Sequence, residues 1–449
     1  MRGRETGRSL MRALVALVGA LLVWGAPAGA AAQDTLHLAE LRDAAARYDP
    51  RAAQGALRER TTDLELRDLS AGYLPQLSVT GQATYQSDVP AAPFAAPGGA
   101  GIQVPKDQYR ADLRVSQLVW DGGRIAARRG LERARLAESE ASVRADLYRT
   151  RQDVDGVFFR ALLLQQRIGE VDRLVADLGR KLDEVRSQVR NGAALAGDTA
   201  AMQAEILQAS QRRDELASYR RAALGVLARL TGRKVGPEDV LALPDLAARV
   251  RARRSSEATA RRRPEFERLA SEREVLKRQE SLTGAERLPK LVAFGTAGYG
   301  KPGLNLLGDR FDTYWRAGIQ FEWAPWHWGT VSREKEALDL RRQIVATEEE
   351  ALSRRLDRAV QEPLETMDRL QASLASDQRI IELRSQLERQ AALQLEEQVI
   401  TPARYIDIRD DLYDARDAWQ THRVQLADAR ARYLTTLGYE PTEVARRNP

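Results

Sequence analysis

No proline interrupts the chain between Gly123 and Pro237, and the stretch from Arg124 to about Asn191 consists almost throughout of helix-favouring residues. At about 1.5 Å per residue such a helix would reach roughly 100 Å. That is envelope-spanning length rather than domain size. Near the end of the run, Ile168, Val171, Val175, Leu178, Leu182, Val185 and Val189 recur three and four residues apart, a heptad seam for a neighbouring helix. Leu412, Ala415, Trp419, His422, Leu426, Ala429 and Tyr433 repeat that spacing near the C-terminus. Paired antiparallel helices follow. Asn191-Gly192 caps the first long helix and Asp198 opens the next, with a corresponding turn near Thr401-Pro402. Pro363 lies inside a second long helical stretch, where the lost hydrogen bond is expected to kink or interrupt the helix.

The chain also repeats itself. Leu74-Pro75-Gln76-Leu77, Gly81 and Tyr85 return as Leu288-Pro289-Lys290-Leu291, Gly295 and Tyr299, each offset by 214 residues. Trp120-Asp121-Gly122-Gly123 is echoed by Trp326-His327-Trp328-Gly329 at an offset of 206, as if the second copy had a shorter intervening turn. Each copy reads helix, strand, turn, strand, very long helix, short turn, long helix. The first copy covers 33–247, with strands near 76–86 and 107–120 and long helices near 124–191 and 197–231. The second covers 264–440, with strands near 289–300 and 312–324 and long helices near 330–398 and 402–437; a tail, 441–449, follows. Between the copies lies an Arg-rich segment, 248–263, with Ser255 and Ser256; it reads as a solvated helix or linker, the alternative being a site for an anionic partner.

Residues 1–32 have the pattern of a cleaved secretory signal: a basic start, an apolar run from Ala13 to Trp24, and small residues to Ala32. The run is well short of the about 20 residues that span a bilayer, and no later segment is long enough, so any membrane crossing must use strands. Losing the signal removes Arg2, Arg4, Arg8 and Arg12 against Glu5, which takes the formal charge from +6 to +3. Nucleic acid is not an expected partner. The chain contains no cysteine, which excludes disulfides, thiol chemistry and a lipid-modified N-terminal cysteine.

Four segments alternate with a period of two, the signature of a strand. Leu77, Val79, Gly81, Ala83 and Tyr85 share one face against Ser78, Thr80, Gln82 and Thr84. Tyr109, Ala111, Leu113 and Val115 oppose Arg110, Asp112, Arg114 and Ser116. In the second copy Trp315, Ala317, Ile319, Phe321 and Trp323 oppose Arg316, Gly318, Gln320 and Glu322, beside a weaker strand from Leu291 to Tyr299. A soluble half-buried sheet alternates likewise, but two features favour a membrane. Five of the seven tryptophans (Trp120, Trp315, Trp323, Trp326, Trp328) sit in or at the ends of these strands, and with Tyr85, Tyr109 and Tyr299 they are candidate membrane-interface aromatics. The polar face carries full charges, which a water-filled lumen allows and a packed core does not. Four strands cannot close a barrel, so several chains must pool theirs: two copies would supply eight strands and three would supply twelve.

The LPQL segment, the run Ser116-Gln117-Leu118-Val119-Trp120-Asp121-Gly122-Gly123-Arg124, Arg190-Asn191-Gly192 followed by Asp198, and Arg263-Pro264-Glu265, all in a duplicated frame, resemble the TolC-like outer-membrane efflux proteins. The resemblance covers nearly the whole chain after the signal. It implies a mainly α chain with a small membrane β part, three copies forming a twelve-stranded β-barrel with four strands from each, continued by a long periplasmic α-helical barrel. It implies a homotrimeric, non-enzymatic duct without cofactors, seated in outer-membrane lipid. Its partners would be a periplasmic adaptor and an inner-membrane transporter of an efflux pump or a type I secretion system. The family's acidic gate pair matches Asp407 and Asp410, one helical turn apart, and its latch aspartate matches Asp198. The family's latch arginine falls at Ala403, with Arg404 next to it, and the usual glycine of the second turn is replaced in the region of Thr401 and Pro402. For Asp407, Asp410 and Asp411 a solvated helix face is the competing reading, and for the whole chain a non-conducting coiled-coil envelope scaffold.

Other chemistry finds no support. His37, His327 and His422 are scattered without metal-ligand spacing. Gly295, Gly298 and Gly300 lie in or beside a strand with no following helix to hold a phosphate. Gly98-Gly99-Ala100-Gly101, amid Pro90, Pro93 and Pro97, reads as a flexible external loop between the first two strands.

Overall fold

Duplication is visible in the backbone of the computed structural model, which describes residues 34–89, 91–95, 101–103, 105–254, 262–305 and 309–439. The signal segment, the C-terminal tail and Ser255 and Ser256 lie outside the described residues. The first copy contributes α1 (Leu38–Tyr48), α2 (Gln54–Ala71), β1 (Gln76–Tyr85), β2 (Asp107–Trp120), α3 (Arg124–Arg190) and α4 (Ala196–Thr231). The second contributes α5 (Pro264–Ala285), β3 (Lys290–Lys301), β4 (Asp312–Glu322), α6 (Thr330–Glu396) and α7 (Pro402–Thr436). The two long helices α3 and α6 are both 67 residues long and start 206 residues apart. Among the described residues, those with positive φ form four pairs at that same offset: Gly122 with Trp328, Gly123 with Gly329, Gly192 with Gln398, and Gly232 with Gly438. The second copy has kept a left-handed turn at Trp328 and Gln398, where the first copy supplies glycine.

Two compact units make up the chain: one from the residues up to Ala45, Asp153–Ala248 and Thr366–Arg430, the other from Ala46–Gln152, Arg249–Glu365 and the residues after Arg430. In the first unit the α3 seam is buried as its spacing implies. Val171, Leu174, Leu178, Leu182 and Val185 pack with Met202 and Ala209 of α4, Ala391 and Leu395 of α6, and Tyr405 and Tyr413 of α7. Each large apolar side chain so buried contributes roughly 1.5–3 kcal/mol. The N-terminal residues are held in the same unit. Thr35–Leu36 pairs in parallel with Val240–Leu241, and the Gln165 amide both donates to and accepts from the Leu241 backbone. Arg42 forms a buried ion pair with Asp155 of α3.

The second unit holds a four-stranded antiparallel sheet in the order β1-β2-β3-β4. Its central pairing, β2 with β3, joins the two copies. Val115 faces Gly295 and Leu113 faces Ala297 there, with a bulge between Leu118 and Trp120. Gly98, Gly99 and Ala100 of the expected loop between β1 and β2 lie outside the described residues; on either side of them Ala91–Ala95 pairs with Gly101–Gln103 in a short ribbon. Its register shifts within the span holding Pro93, so the missing N–H of that proline falls where the ladder is already irregular.

Pro363 does not interrupt α6, which runs unbroken through it. An interior proline costs about 3 kcal/mol. Burial of Leu352 and Leu356 before it and of Met367 and Leu370 after it holds the helical path.

Replacing Gln398 by glycine should relieve the left-handed backbone without touching the core, and is expected to stabilise the chain by about 1 kcal/mol. Thermal or denaturant unfolding of Gln398→Gly beside the wild type checks this; an unchanged or lowered midpoint would contradict it.

Candidate functional site: the sheet faces and the hairpin tips

Cross-strand register decides which side chains share a face of the sheet. Leu77, Val115, Gly295 and Ala317 lie in one row, and Val79, Leu113, Ala297 and Trp315 in the next. The apolar alternations of all four strands therefore fall on one continuous face. That face is uncovered: Val79 is 76%, Trp315 77% and Ile319 69% exposed. At one end of the sheet Phe311 stacks between Tyr109 and Tyr299, with ring centroids 6.0 and 5.4 Å away. At the other end Trp326 and Trp328 meet edge to face at 5.7 Å, and the Trp323 indole donates to the Arg287 carbonyl.

The opposite face is polar and internally paired. The Tyr314 hydroxyl donates to Asp112 at 2.5 Å, Lys290 pairs with Glu322 at 2.9 Å, and the Arg114 guanidinium sits 5.2 Å from the Phe294 ring centroid. Arg110 and Arg316 alternate onto the same side. Neither β1 nor β4 has a strand partner on its outer edge among the described residues. Two rows of backbone donors and acceptors are thus left open.

The strand-to-helix junctions of the two copies differ. In the first, Asp121 accepts from the Gly123 and Ile125 amides and so caps α3, while a Cβ on Gly122 would lie 2.4 Å from that of Leu288. Only glycine fits there. In the second, His327 and Trp328 replace the capping carboxylate and that glycine, and Trp328 is 79% exposed.

The hairpin tips of the first unit are the other sequence-derived candidates. At the first tip the Gly192 and Ala193 amides close the end of α3 on the Val189 and Gln188 carbonyls. Asp198 then accepts from the Leu195 amide at 2.9 Å, so its carboxylate caps α4. At the second tip the tight turn falls at Glu397–Ile400, before Thr401 and Pro402. Val399 N–H reaches the Gln394 carbonyl at 2.7 Å, Thr401 accepts from the Arg404 amide, and Pro402 opens α7. Arg404 pairs with Asp407 at 3.6 Å on the exposed surface, so Asp198 and Arg404 are each engaged locally. A cleft of about 280 Å³ lies between the tips, lined by Gln188, Leu195, Asp198, Leu395 and Val399 among others.

Asp407 and Asp410 occupy different surroundings. Asp407 is exposed, whereas Asp410 is half-buried and its Oδ1 lacks a hydrogen-bond donor. Burial, with Glu205 of α4 nearby, pushes the Asp410 carboxyl up to about 6, against a smaller opposing pull from Arg212. Around it sequence reasoning missed a polar layer between the helices. The buried Arg409 guanidinium pairs with Asp177 of α3, and Gln420 donates to Glu170 at 2.8 Å. Tyr405 donates to Glu388 at 2.9 Å, and His422 meets Asp377 at 2.6 Å. Burial lowers the Arg409 guanidinium to about 10 and raises the Tyr405 phenol.

Comparison with solved structures finds this arrangement of strands and helices again. CusC, studied for its transmembrane channel formation, shares 13% identity over 90% of this chain and 92% of its own, with a TM-score of 0.66. MtrE, an outer membrane channel of Neisseria gonorrhoeae, shares 17% over 90% and 89%, with a TM-score of 0.63. VceC, an outer membrane protein of Vibrio cholerae, shares 14% over 90% and 96%, with a TM-score of 0.62. The chain has the fold of these proteins. No family model and no curated protein matches the sequence. The sequence-level resemblance to TolC-like proteins and the structural likeness agree on a mainly helical chain with one small antiparallel sheet.

A raised carboxyl stabilises the fold when protonated. The Asp410 contribution is complete below its ordinary value of 3.8 and is lost as pH rises through about 6. Asp410→Asn should therefore unfold at a higher temperature than wild type at pH 7.5 and level with it at pH 4. Superimposable melting profiles at both pH values would refute the assignment.

Proposed function

We propose that the chain is an outer-membrane exit duct, three copies of which close a twelve-stranded barrel and pass substrates out of the cell. The observation that carries this reading is the four-stranded sheet with one uncovered apolar face, one charged face and two open edges. In hydrocarbon each unpaired backbone group costs several kcal/mol, so such a sheet is tolerable only when closed into a ring. A charged face is at home on a water-filled lumen, and the aromatic clusters at both ends of the strands match the two interfaces of a bilayer. The long helix hairpins would continue the duct into the periplasm.

Such a duct holds no energy source. A periplasmic adaptor and an inner-membrane transporter, of an efflux pump or of type I secretion, would deliver its cargo. The cleft between the hairpin tips, with Leu195 and Val399 exposed beside it, supplies an apolar surface where an adaptor can dock. Near the tips, rings of Asp407 and Asp410 carboxylates from three copies would favour cations over anions. Asp407 is the more open of the two and Asp410 the more buried.

Purified protein in planar bilayers is expected to give discrete conductance steps with cation preference. Asp407→Ala combined with Asp410→Ala should weaken that preference several-fold in permeability ratio, read from the reversal potential in a salt gradient. Stably inserted protein that never conducts would point instead to an envelope tether. Conductance that the double variant leaves unaltered would remove the acidic rings while keeping the duct.

A further inference from the structure

Cross-strand register sets two arginines in one row of the polar face. Ser78, Arg114, Thr296 and Arg316 stand opposite one another across β1, β2, β3 and β4. With about 4.8 Å between neighbouring strands, the two arginine Cα atoms lie about 10 Å apart, with Thr296 between them. Both arginines are exposed, and among the described residues neither forms an ion pair. Arg114 is steadied instead by the Phe294 ring, whose centroid is 5.2 Å from its guanidinium carbon. Thr296 is only 5% exposed, and among the described residues its hydroxyl has no hydrogen-bond partner. A buried hydroxyl left in that state costs stability, which an incoming acceptor would restore.

The other charges of this face are balanced. Asp112 stands in the next row and accepts from Tyr314 at 2.5 Å. Arg110 shares its row with Asp312, and Lys290 pairs with Glu322 at 2.9 Å. The remaining polar-face positions of the four strands are uncharged. The row of Arg114 and Arg316 is thus the one level with two like charges and no carboxylate.

We propose that Arg114, Thr296 and Arg316 form a binding site for a phosphate-type oxyanion. The site rests on the duct reading, since it needs the polar face to line a water-filled passage, and it gives that passage a point of contact with cargo. Arginine forks bind oxyanions through paired N–H donors. When the two exposed side chains turn onto one anion between them, the Thr296 hydroxyl comes into reach and donates a further bond. A phosphate offers one oxygen to each of these donors on three adjacent strands, whereas a carboxylate has only two. A free phosphate ion and a phosphate ester carried on cargo share this chemistry. In three copies, six guanidinium groups would stand at one level of the lumen, an arrangement that favours anions in pores.

Single channels of the purified protein in planar bilayers, with chloride as the background anion, provide the test. Inorganic phosphate is expected to interrupt the current in a concentration-dependent way. Arg114→Gln with Arg316→Gln should raise the half-blocking concentration by about tenfold or more. Thr296→Val keeps the shape of the side chain without its hydroxyl and should raise it by about threefold. Arg110→Gln with Lys290→Gln removes the same charge from other rows and should shift it by less than about twofold, because a screened field is not a site. Each variant is compared at intact oligomeric mass. Phenyl phosphate separates the sources: block that matches inorganic phosphate assigns the site to phosphate groups on cargo, and block by inorganic phosphate alone assigns it to the free ion. Wild-type channels that conduct and ignore phosphate, or equal loss of block in the two charge-removing pairs, would overturn the site and leave the duct standing. Inserted protein that never conducts would remove the duct and the site with it.

Discussion

Backbone hydrogen bonding at a sheet edge is the interaction on which the rest depends. In water an open edge is a hazard for aggregation; in lipid it is prohibitive, because nothing else can satisfy its amides and carbonyls. On the duct reading, a chain with two such edges and an apolar face is incomplete as a single molecule. The long helices share this incompleteness. Apolar side chains remain uncovered on α6, among them Ile380, Leu383 and Leu387 at heptad-like spacing, where a neighbouring helix would find a seam.

Much of this was legible in the residues themselves. Strict alternation located the strands to within a residue or two, because a strand with one apolar and one polar face sorts its side chains with a period of two. The proline-free run and its heptad seam set the length of α3, and the repeated tetrapeptide revealed the second copy. What stayed hidden depends on contacts between distant segments. The Arg409–Asp177 pair joins residues 232 positions apart, and no local pattern marks either as buried. Pro363 does not break α6, against a single-residue rule that ignores the packing on both sides of it. The second hairpin turn was placed a few residues late, since proline at a helix start is conspicuous while a glutamine holding a glycine's backbone angle is not. The acidic pair was visible, but its separation into an exposed Asp407 and a half-buried Asp410 depends on α4.

The two copies have diverged in side chains while preserving dihedral angles. All four left-handed positions recur at one offset although two have lost their glycine. Holding a bulky residue in that region costs of order 1–3 kcal/mol and persists only where the surroundings impose it. Here the surroundings are the elements each turn joins: Gln398 lies between α6 and α7, and Trp328 just before α6.

The same offset links Asp198 to Arg404, so corresponding places on the two hairpins carry opposite charge. In a closed ring of three chains the helix ends would alternate in sign six times around the circumference. Alternating multipoles cancel within a short distance, faster than a uniform ring of charge. The helix ends would then leave the long-range field of the tip to the carboxylates of Asp407 and Asp410, and only a partner with the complementary sequence of signs could pair with them at close range.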